Sequence, residues 1–334
     1  VDAWGQVYTM KQASTSGACQ AMQKIARFNF NNSELTPTTD QMWNSAWNAI
    51  ANCNELIQQT EKADTTLFYH KSYERQLILS EAIALRAYLH FDLLRMYAPA
   101  PASNPGNKTY IPYVNYYPAY VNENISVSEC LNHIIADLKK AQAILYQLEG
   151  KKPGNLTPNT RFQEAGSGKN LFFSLRGYRL NYWAATALLA RVYLYAGMKD
   201  EAYKEAKTLI DADSKNKFFQ ATTSSYYGPK NIEAGNIKMY ENIIFGLYSP
   251  TELVDWDAAV NHANDGQDEG SQYYLSWDSE MIDQYFGEEK NQDWRFKYQF
   301  ESKYYDYYYR PLKYYKQSES SSYGPVNNKN IPMI

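Results

Sequence analysis

The stretch ALRAYLHFDLLRMYAPAP, residues 84–101, decides the fold class of this chain. Two apolar stripes run along it at helical spacing: Leu85, Leu89, Leu93 and Met96 in one, and Ala84, Tyr88, Phe91 and Leu94 in the other. A helix on the surface of a globular protein needs only one apolar stripe. The pattern therefore predicts a helix covered on two sides, which Pro99 and Pro101 then end.

A second stretch explains why two sides need covering. In LLARVYLYAGMKDEAYKEAKTLID, residues 188–211, the tetratricopeptide spacing is carried by Leu189, Ala190, Tyr193, Gly197 and Ala202. The fragment LRAYL at 85–89 is echoed by ARVYL at 190–194. A helix inside a stack of such repeats is buried by neighbours on both sides. We therefore expect a mainly α fold, an irregular tetratricopeptide-like scaffold with long loop-rich insertions and a few short strands.

Caps and apolar faces predict further helices along the chain. A helix capped by Asp40 carries an apolar face that only Asn54 interrupts. A further helix spans about Tyr73 to Tyr97, and Ser126 with Glu129 forms a capping box that opens a helix to about Leu148. From about residue 212 the composition favours loops, with a short helix at MIDQYF and one or two strands in WRFKYQFESKYYDYYYRPLKYYKQ, ending at Pro311. We interpret residues 1–334 as one domain, with a helical scaffold at 1–211 and a loop-rich aromatic half at 212–334.

Composition excludes several classes of protein. With 33 Lys and Arg against 36 Asp and Glu, the formal net charge of −3 argues against a nucleic-acid binder. No apolar run is long enough to span a membrane. Cys19, Cys53 and Cys130 show neither metal-ligand spacing nor a disulfide framework, and the last two lie in helical patterns as small buried residues.

Motifs for catalysis or cofactors are not found. GSGKN at 166–170 lacks the first glycine and the final Ser or Thr of a phosphate-binding loop. His90 lies on the doubly packed helix and is interpreted as a hydrogen-bonded interior residue. The acidic loop with Asp265, Asp268 and Glu269 does not follow the EF-hand register, so a solvated loop is favoured over a calcium site. We predict no catalytic residue, no metal and no cofactor, although two carboxylates of a glycoside hydrolase could still meet in space.

Aromatic residues are the remaining signal, since the chain has 32 Tyr, 7 Trp and 13 Phe. The faces of sugar rings pack on aromatic planes, and their hydroxyls need amide or carboxylate partners. The predicted carbohydrate-binding residues are Trp4, Trp256, Tyr273, Tyr274 and Trp277 as stacking platforms, with Asp2, Asn261 and Asp265 as hydrogen-bonding partners. The alternative for each aromatic is that it is buried or packs a loop, as expected for Trp43, Trp47 and Trp183 on helix stripes.

Three features together resemble the SusD/RagB family of outer-membrane nutrient-binding lipoproteins. WNSAWNAIANCNELI resembles the family's W-x3-aromatic-x2-I-x3-N pattern, and the opening stretch resembles R-A-x3-F-x-L-L-x2-Y-G-x-x-P, with Ala98 in place of Gly. The third feature is the order of elements: the capped helix, the repeat pair, and a loop-rich half containing NQDWRFKYQF. The resemblance covers about residues 36–334.

The resemblance implies a function as well as a fold. It implies non-catalytic binding of glycans at the cell surface, for import through a SusC-like TonB-dependent transporter in the outer membrane. It also implies a lipid anchor on a cysteine upstream of Val1 and closing helices after Ile334; without those helices we expect poor stability. A helical glycoside hydrolase, a protein-interaction scaffold of tetratricopeptide type and a peptide-binding relative remain alternatives. The glycan and the role of the Tyr-rich strand at 304–315 stay open.

Overall fold

Helices dominate the first half of the chain, as the apolar stripes predict. The computed structural model describes residues 9–10, 24–25, 27–30, 33, 35–151, 156–157, 160–163, 171–216, 233–251, 275–303 and 308–334. These residues fall into two compact units. The helical unit comprises residues 40–219, and the mixed unit comprises residues 1–39 and 220–333.

Five helices follow one another through the first part of the chain. They are α1 (Thr36–Lys62), α2 (Lys71–Tyr97), α3 (Val127–Leu145), α4 (Tyr182–Tyr195) and α5 (Lys199–Asn216). Within the helical unit α2 packs on α3, α3 on α4 and α4 on α5, which is the stacking of neighbours expected of a helical array. Two short strands, β2 (Thr109–Ile111) and β3 (Ile125–Ser126), pair between α2 and α3.

Burial along α2 confirms the second apolar stripe but only part of the first. Every member of the second stripe, Ala84, Tyr88, Phe91 and Leu94, is buried. The first stripe is less uniform, because Leu93 is buried whereas Leu85 is exposed. The helix ends at Tyr97, and Ala98 has extended backbone with φ −131°, so this helix end does not need the left-handed glycine of the family pattern.

Caps explain where the other helices begin and end. The start of α1 is five residues earlier than an N-cap at Asp40 predicts, because Pro37 suits a first helical turn and Thr39 N already donates to Leu35 O at 3.0 Å. Ser126 Oγ accepts from Glu129 N at 3.2 Å at the start of α3, as the capping box predicts. Gly197 ends α4 at φ +78°, also as predicted.

The mixed unit contains small antiparallel sheets and short helices. Its four-stranded sheet has the order β1 (Thr9–Met10), β5 (Leu275–Asp278), β7 (Tyr308–Pro311), β6 (Phe300–Lys303). A separate pair joins β4 (Gly246–Tyr248) to β8 (Asn330–Pro332), and the described residues of this unit include the helices α6 (Ser279–Phe286), α7 (Trp294–Gln299) and α8 (Gly324–Asn327). The strand prediction was wrong for 294–299, which Asp293 caps as a helix by accepting from Arg295 N at 2.8 Å. Among the described residues, no helix has the length and apolarity needed to cross a membrane.

The Tyr-rich segment left open above contributes to the interior of the mixed unit. Residues 304–307 lie outside the described residues, and the rest forms β7 and the turn that follows it. Arg310 is buried against Glu301, and Tyr315 is buried with its hydroxyl donating to Glu233 Oε1 at 2.7 Å. These side chains belong to the packing of this unit.

Candidate functional site

An exposed aromatic loop stands out on the helical unit. Residues 113–121, here called the tyrosine loop, have the sequence YVNYYPAYV and lead from β2 towards β3. Tyr116 and Tyr117 are exposed, and Tyr120 is 87% exposed. Such exposed aromatic side chains need an explanation, because aromatic rings are normally buried.

The backbone of the loop is anchored by α1 and α2. Asn54 of α1 donates from Nδ2 to Val114 O at 3.0 Å and to Tyr116 O at 3.3 Å. Arg86 of α2 donates from Nη1 to Asn115 O at 3.2 Å. Three successive loop carbonyls are thus bonded to helix side chains, which fixes the path of the loop. Asn54, the one polar residue in its stripe, is explained by this anchoring.

A buried ion pair holds the anchoring residues in place. Arg86 donates from Nε and Nη2 to the two carboxylate oxygens of Asp137 at 2.7 and 2.9 Å, and from Nη1 to Asn54 Oδ1 at 2.9 Å. The hydroxyl of Tyr113 also donates to Asp137. Burial raises the pKa of Tyr113, and the Asp137 carboxylate raises it further, so the hydroxyl stays a neutral donor. Bidentate geometry of this kind gives the network a single arrangement.

His90 completes the network from the interior, as predicted. Val114 N donates to Nε2 at 3.0 Å, so the proton must reside on Nδ1, which lies 2.9 Å from Arg86 O. Burial lowers the pKa of His90 to about 4 and keeps the ring neutral. The Tyr113 ring stacks on His90 with centroids 4.1 Å apart and on His133 with centroids 4.9 Å apart.

The chemistry of this arrangement is that of a rigid binding surface. The carboxylate of Asp137 already pairs with Arg86 and Tyr113, which leaves it poorly placed as a general base. Burial raises the pKa of the Cys53 and Cys130 thiols to about 11 and about 12, so neither is a thiolate at neutral pH. Within the described ranges, no group of His, Cys, Asp and Glu is placed to hold a metal ion.

Trp277 is the one predicted binding residue that the structure describes. Its ring is only 9% exposed and packs against Tyr285, Phe286 and Phe300 at centroid distances of 5.0, 5.9 and 5.2 Å. Little of its face is open to a sugar, whereas the neighbouring Tyr285 is 64% exposed. The other predicted residues lie outside the described ranges: Asp2, Trp4, Trp256, Asn261, Asp265, Tyr273 and Tyr274. Their roles stay predictions, and so does that of Trp277.

The tyrosine loop was not predicted as a site. Its sequence signal is the spacing of Tyr116, Tyr117 and Tyr120 around Pro118, without an apolar stripe that would bury them. The anchoring residues Asn54, Arg86 and Asp137 could not be grouped from the sequence, because they lie on three separate helices. The acidic residues Asp265, Asp268 and Glu269, considered for calcium, also fall outside the described residues.

One family model matches the sequence. Residues 4–162, which include the tyrosine loop and its anchors, match a family named SusD-like and described as starch-binding associating with outer membrane. No curated protein matches the chain.

Several solved structures share the fold of the whole chain. A putative sugar binding protein from Bacteroides vulgatus has a TM-score of 0.66 at 20% identity, with 100% of this chain and 65% of that chain covered. A SusD superfamily protein from Bacteroides thetaiotaomicron has a TM-score of 0.64 at 19% identity, with 100% and 68% covered. Surface glycan-binding protein A from Bacteroides fluxus has a TM-score of 0.59 at 18% identity, with 99% and 66% covered. The chain thus spans about two thirds of the length of these structures.

Proposed function

Because this chain is SusD-like in its match over residues 4–162 and in its fold, we propose that it binds glycans at the cell surface without altering them. The match over residues 4–162 and the shared fold support the resemblance seen in the sequence. The observation that carries the proposal is that the matched region contains an exposed aromatic loop on a rigid anchor.

The loop suits a sugar for physical reasons. Tyr116, Tyr117 and Tyr120 offer flat apolar faces for the C–H faces of sugar rings, and their hydroxyls offer hydrogen bonds. The anchoring of three loop carbonyls means that little backbone freedom is lost when a ligand binds. A pre-organised platform can therefore bind with few contacts.

The wider setting follows from the family. We infer that the chain acts at the outer membrane, held there by a lipid anchor, and passes glycans to a SusC-like TonB-dependent transporter. The description of the matched family, starch-binding associating with outer membrane, supports this assignment. Two of the structural neighbours are named as a sugar binding protein and a surface glycan-binding protein, which supports a carbohydrate as the ligand.

The predicted residues outside the described ranges belong to the same proposal. Trp4, Trp256, Tyr273 and Tyr274, with Asp2, Asn261 and Asp265, are proposed as further contacts with the glycan. Tyr285 is added because it is exposed beside the buried Trp277. The tyrosine loop and this set can be tested separately.

Retardation in native gels containing soluble polysaccharides tests the proposal. The panel starts with soluble starch and includes xylan, mannan, β-glucan and pectin, and calorimetry follows for any that retard the protein. We expect one class to retard it, and the triple substitution of Tyr116, Tyr117 and Tyr120 by Ala to weaken binding at least tenfold. The control is Tyr203→Ala, an exposed tyrosine on α5 in the same unit.

Each other result has a definite meaning. No retardation by any polysaccharide would overturn the proposal in favour of a peptide ligand or a protein-interaction scaffold. Retardation that survives the triple substitution but is lost in Trp4→Ala or Trp256→Ala would remove the tyrosine loop from the site. Release of shorter products from the bound glycan would replace the binding protein by a glycoside hydrolase.

A further inference from the structure

A second exposed aromatic cluster lies at the other end of α2. The turn from α1 into α2 presents Leu67, which is exposed, and Tyr69, which is 84% exposed. His70 and Tyr73 follow, and Phe173 packs beside them from the segment before α4. We refer to Leu67, Tyr69, His70, Tyr73 and Phe173 as the turn cluster.

Edge-to-face contacts set the orientation of these rings. The His70 ring lies 4.8 Å from Tyr69 at 76° and 4.5 Å from Phe173 at 64°. Tyr73 meets Phe173 at 5.4 Å and 73°. Since Tyr69 is 84% exposed, most of its ring surface remains open to solvent.

A hydrogen bond, a cation–π contact and an ion pair fix the segments that carry the turn cluster. Tyr73 donates its hydroxyl to Leu148 O at 3.1 Å, which ties α2 to the turn after α3. Phe172, adjacent to Phe173, is covered by the Arg179 guanidinium 4.5 Å from its ring centroid. Arg179 donates to Glu81 of α2 at 2.8 Å, which fastens this segment to the same helix that carries Tyr73.

Buried charges extend this support. Arg176 is almost fully buried and pairs with both Glu81 and Glu149, its Nε lying 2.6 Å from Glu149 Oε1. Glu149 Oε2 in turn accepts from Tyr182 N at 3.2 Å, at the start of α4. The surface that carries the turn cluster is therefore joined to α2, α3 and α4 and is as firmly anchored as the tyrosine loop.

We propose that the turn cluster is a second glycan-binding surface, so that one chain engages two segments of polysaccharide. The proposal rests on the glycan-binding function proposed above. Five side chains are far fewer than the roughly 20–30 residues a side of a stable protein interface, but they match the few aromatic and polar groups that a sugar needs. Polar side chains are close in sequence: the carboxylates of Asp64 and Glu74 accept from Thr66 N and His70 N, and Lys71 is the first residue of α2.

The two surfaces are separate sites. The tyrosine loop contacts α2 at Arg86 and His90, whereas the turn cluster includes His70 and Tyr73. A separation of about 16 residues along a helix corresponds to about 24 Å. One short oligosaccharide therefore occupies one surface at a time, whereas a long polysaccharide gains affinity from both.

Calorimetry with a short oligosaccharide tests the inference. The probe is a trisaccharide from the polysaccharide that retards the protein, too short to reach both surfaces, with the starch trisaccharide tried first. We expect two oligosaccharides per wild-type chain and one per Tyr69→Ala chain, with retardation by the intact polysaccharide weakened at least tenfold. Tyr203→Ala is the matched control and keeps both sites, and a melting curve for each variant checks folding.

The outcomes separate this inference from the function on which it rests. One oligosaccharide per wild-type chain, or two in a folded Tyr69→Ala variant, overturns the second surface and leaves the glycan-binding function standing. A folded double variant, Leu67→Ala with Tyr69→Ala, that binds the long polysaccharide as tightly as the wild type also overturns it. No binding of any glycan overturns both.

Discussion

Arg86 and Asp137 form a bidentate ion pair across 51 residues of sequence, with Nε and Nη2 at 2.7 and 2.9 Å from the two carboxylate oxygens. The pair joins α2 to α3 beneath the tyrosine loop, and Arg86 also donates to Asn54 of α1. One guanidinium therefore fixes three helices and a loop carbonyl. This relationship makes the loop a platform that the scaffold holds in place.

Removal of Arg86 should destabilise the helical unit strongly. In Arg86→Met, Asp137 keeps a largely buried carboxylate without its cation, which typically costs about 3–5 kcal/mol. Urea unfolding measures the change in the free energy of unfolding. The matched control is Lys140→Met, which breaks the exposed pair with Glu61 and should cost less than about 1 kcal/mol. Equal losses in the two variants would contradict a structural role for the buried pair.

Acid should weaken the fold through His90. The pKa of His90 is about 4 in the folded chain and near 6.5 when unfolded, so below pH 6.5 the unfolded chain binds the extra proton. The stability that depends on a neutral His90 is therefore present above pH 6.5 and is lost as the pH falls towards 4. The largest slope is about 1.4 kcal/mol per pH unit.

Comparison with His90→Gln measures that slope. The variant has no titrating ring, so its free energy of unfolding should depend less on pH between 6.5 and 4 than that of the wild type. Only the slope is compared, because the substitution also changes the bonds to Arg86 O and Val114 N. Parallel curves for the two proteins in this window would show that His90 protonates equally in both states.

Gly197 should be replaceable by Asn at lower cost than by Ala. Its φ of +78° lies in the left-handed region, and a Cβ at this position would meet no atom within 4 Å. Backbone conformation alone therefore sets the cost, about 1–2 kcal/mol for Gly197→Ala and less for Gly197→Asn, since Asn tolerates this region better. Melting temperatures of the two variants check the order, with exposed Lys204→Ala on α5 as the control. The reverse order of Ala and Asn would contradict the conformational explanation.

We expect Trp277→Ala to lower the free energy of unfolding, because the Trp277 ring is structural. The ring is packed among Tyr285, Phe286 and Phe300, and removal of a buried Trp costs about 3–5 kcal/mol. Tyr285→Ala removes an exposed ring and should cost less than about 1 kcal/mol. Urea unfolding of both variants tests the contrast. If Trp277→Ala instead keeps wild-type stability and loses glycan binding, Trp277 is a stacking platform after all.

The sequence by itself determined the helical scaffold, because helical periodicity, caps and breakers act over a few neighbouring residues. The second stripe of α2, the cap at Ser126 and the turn at Gly197 could all be predicted locally, and the order of these motifs indicated the resemblance to the SusD/RagB family. Local patterns were less reliable in the second half, where 294–299 had a strand-like composition and forms a helix.

Only the tertiary structure decided where the aromatic side chains lie. Trp277 and Tyr285 are both aromatic and only eight residues apart, yet one is buried and the other exposed, because burial depends on which elements pack across the chain. The tyrosine loop became a candidate site in the same way, since Asn54, Arg86 and Asp137 meet only when α1, α2 and α3 come together. Contacts between distant residues leave no short-range pattern in the sequence, and the site is built from such contacts.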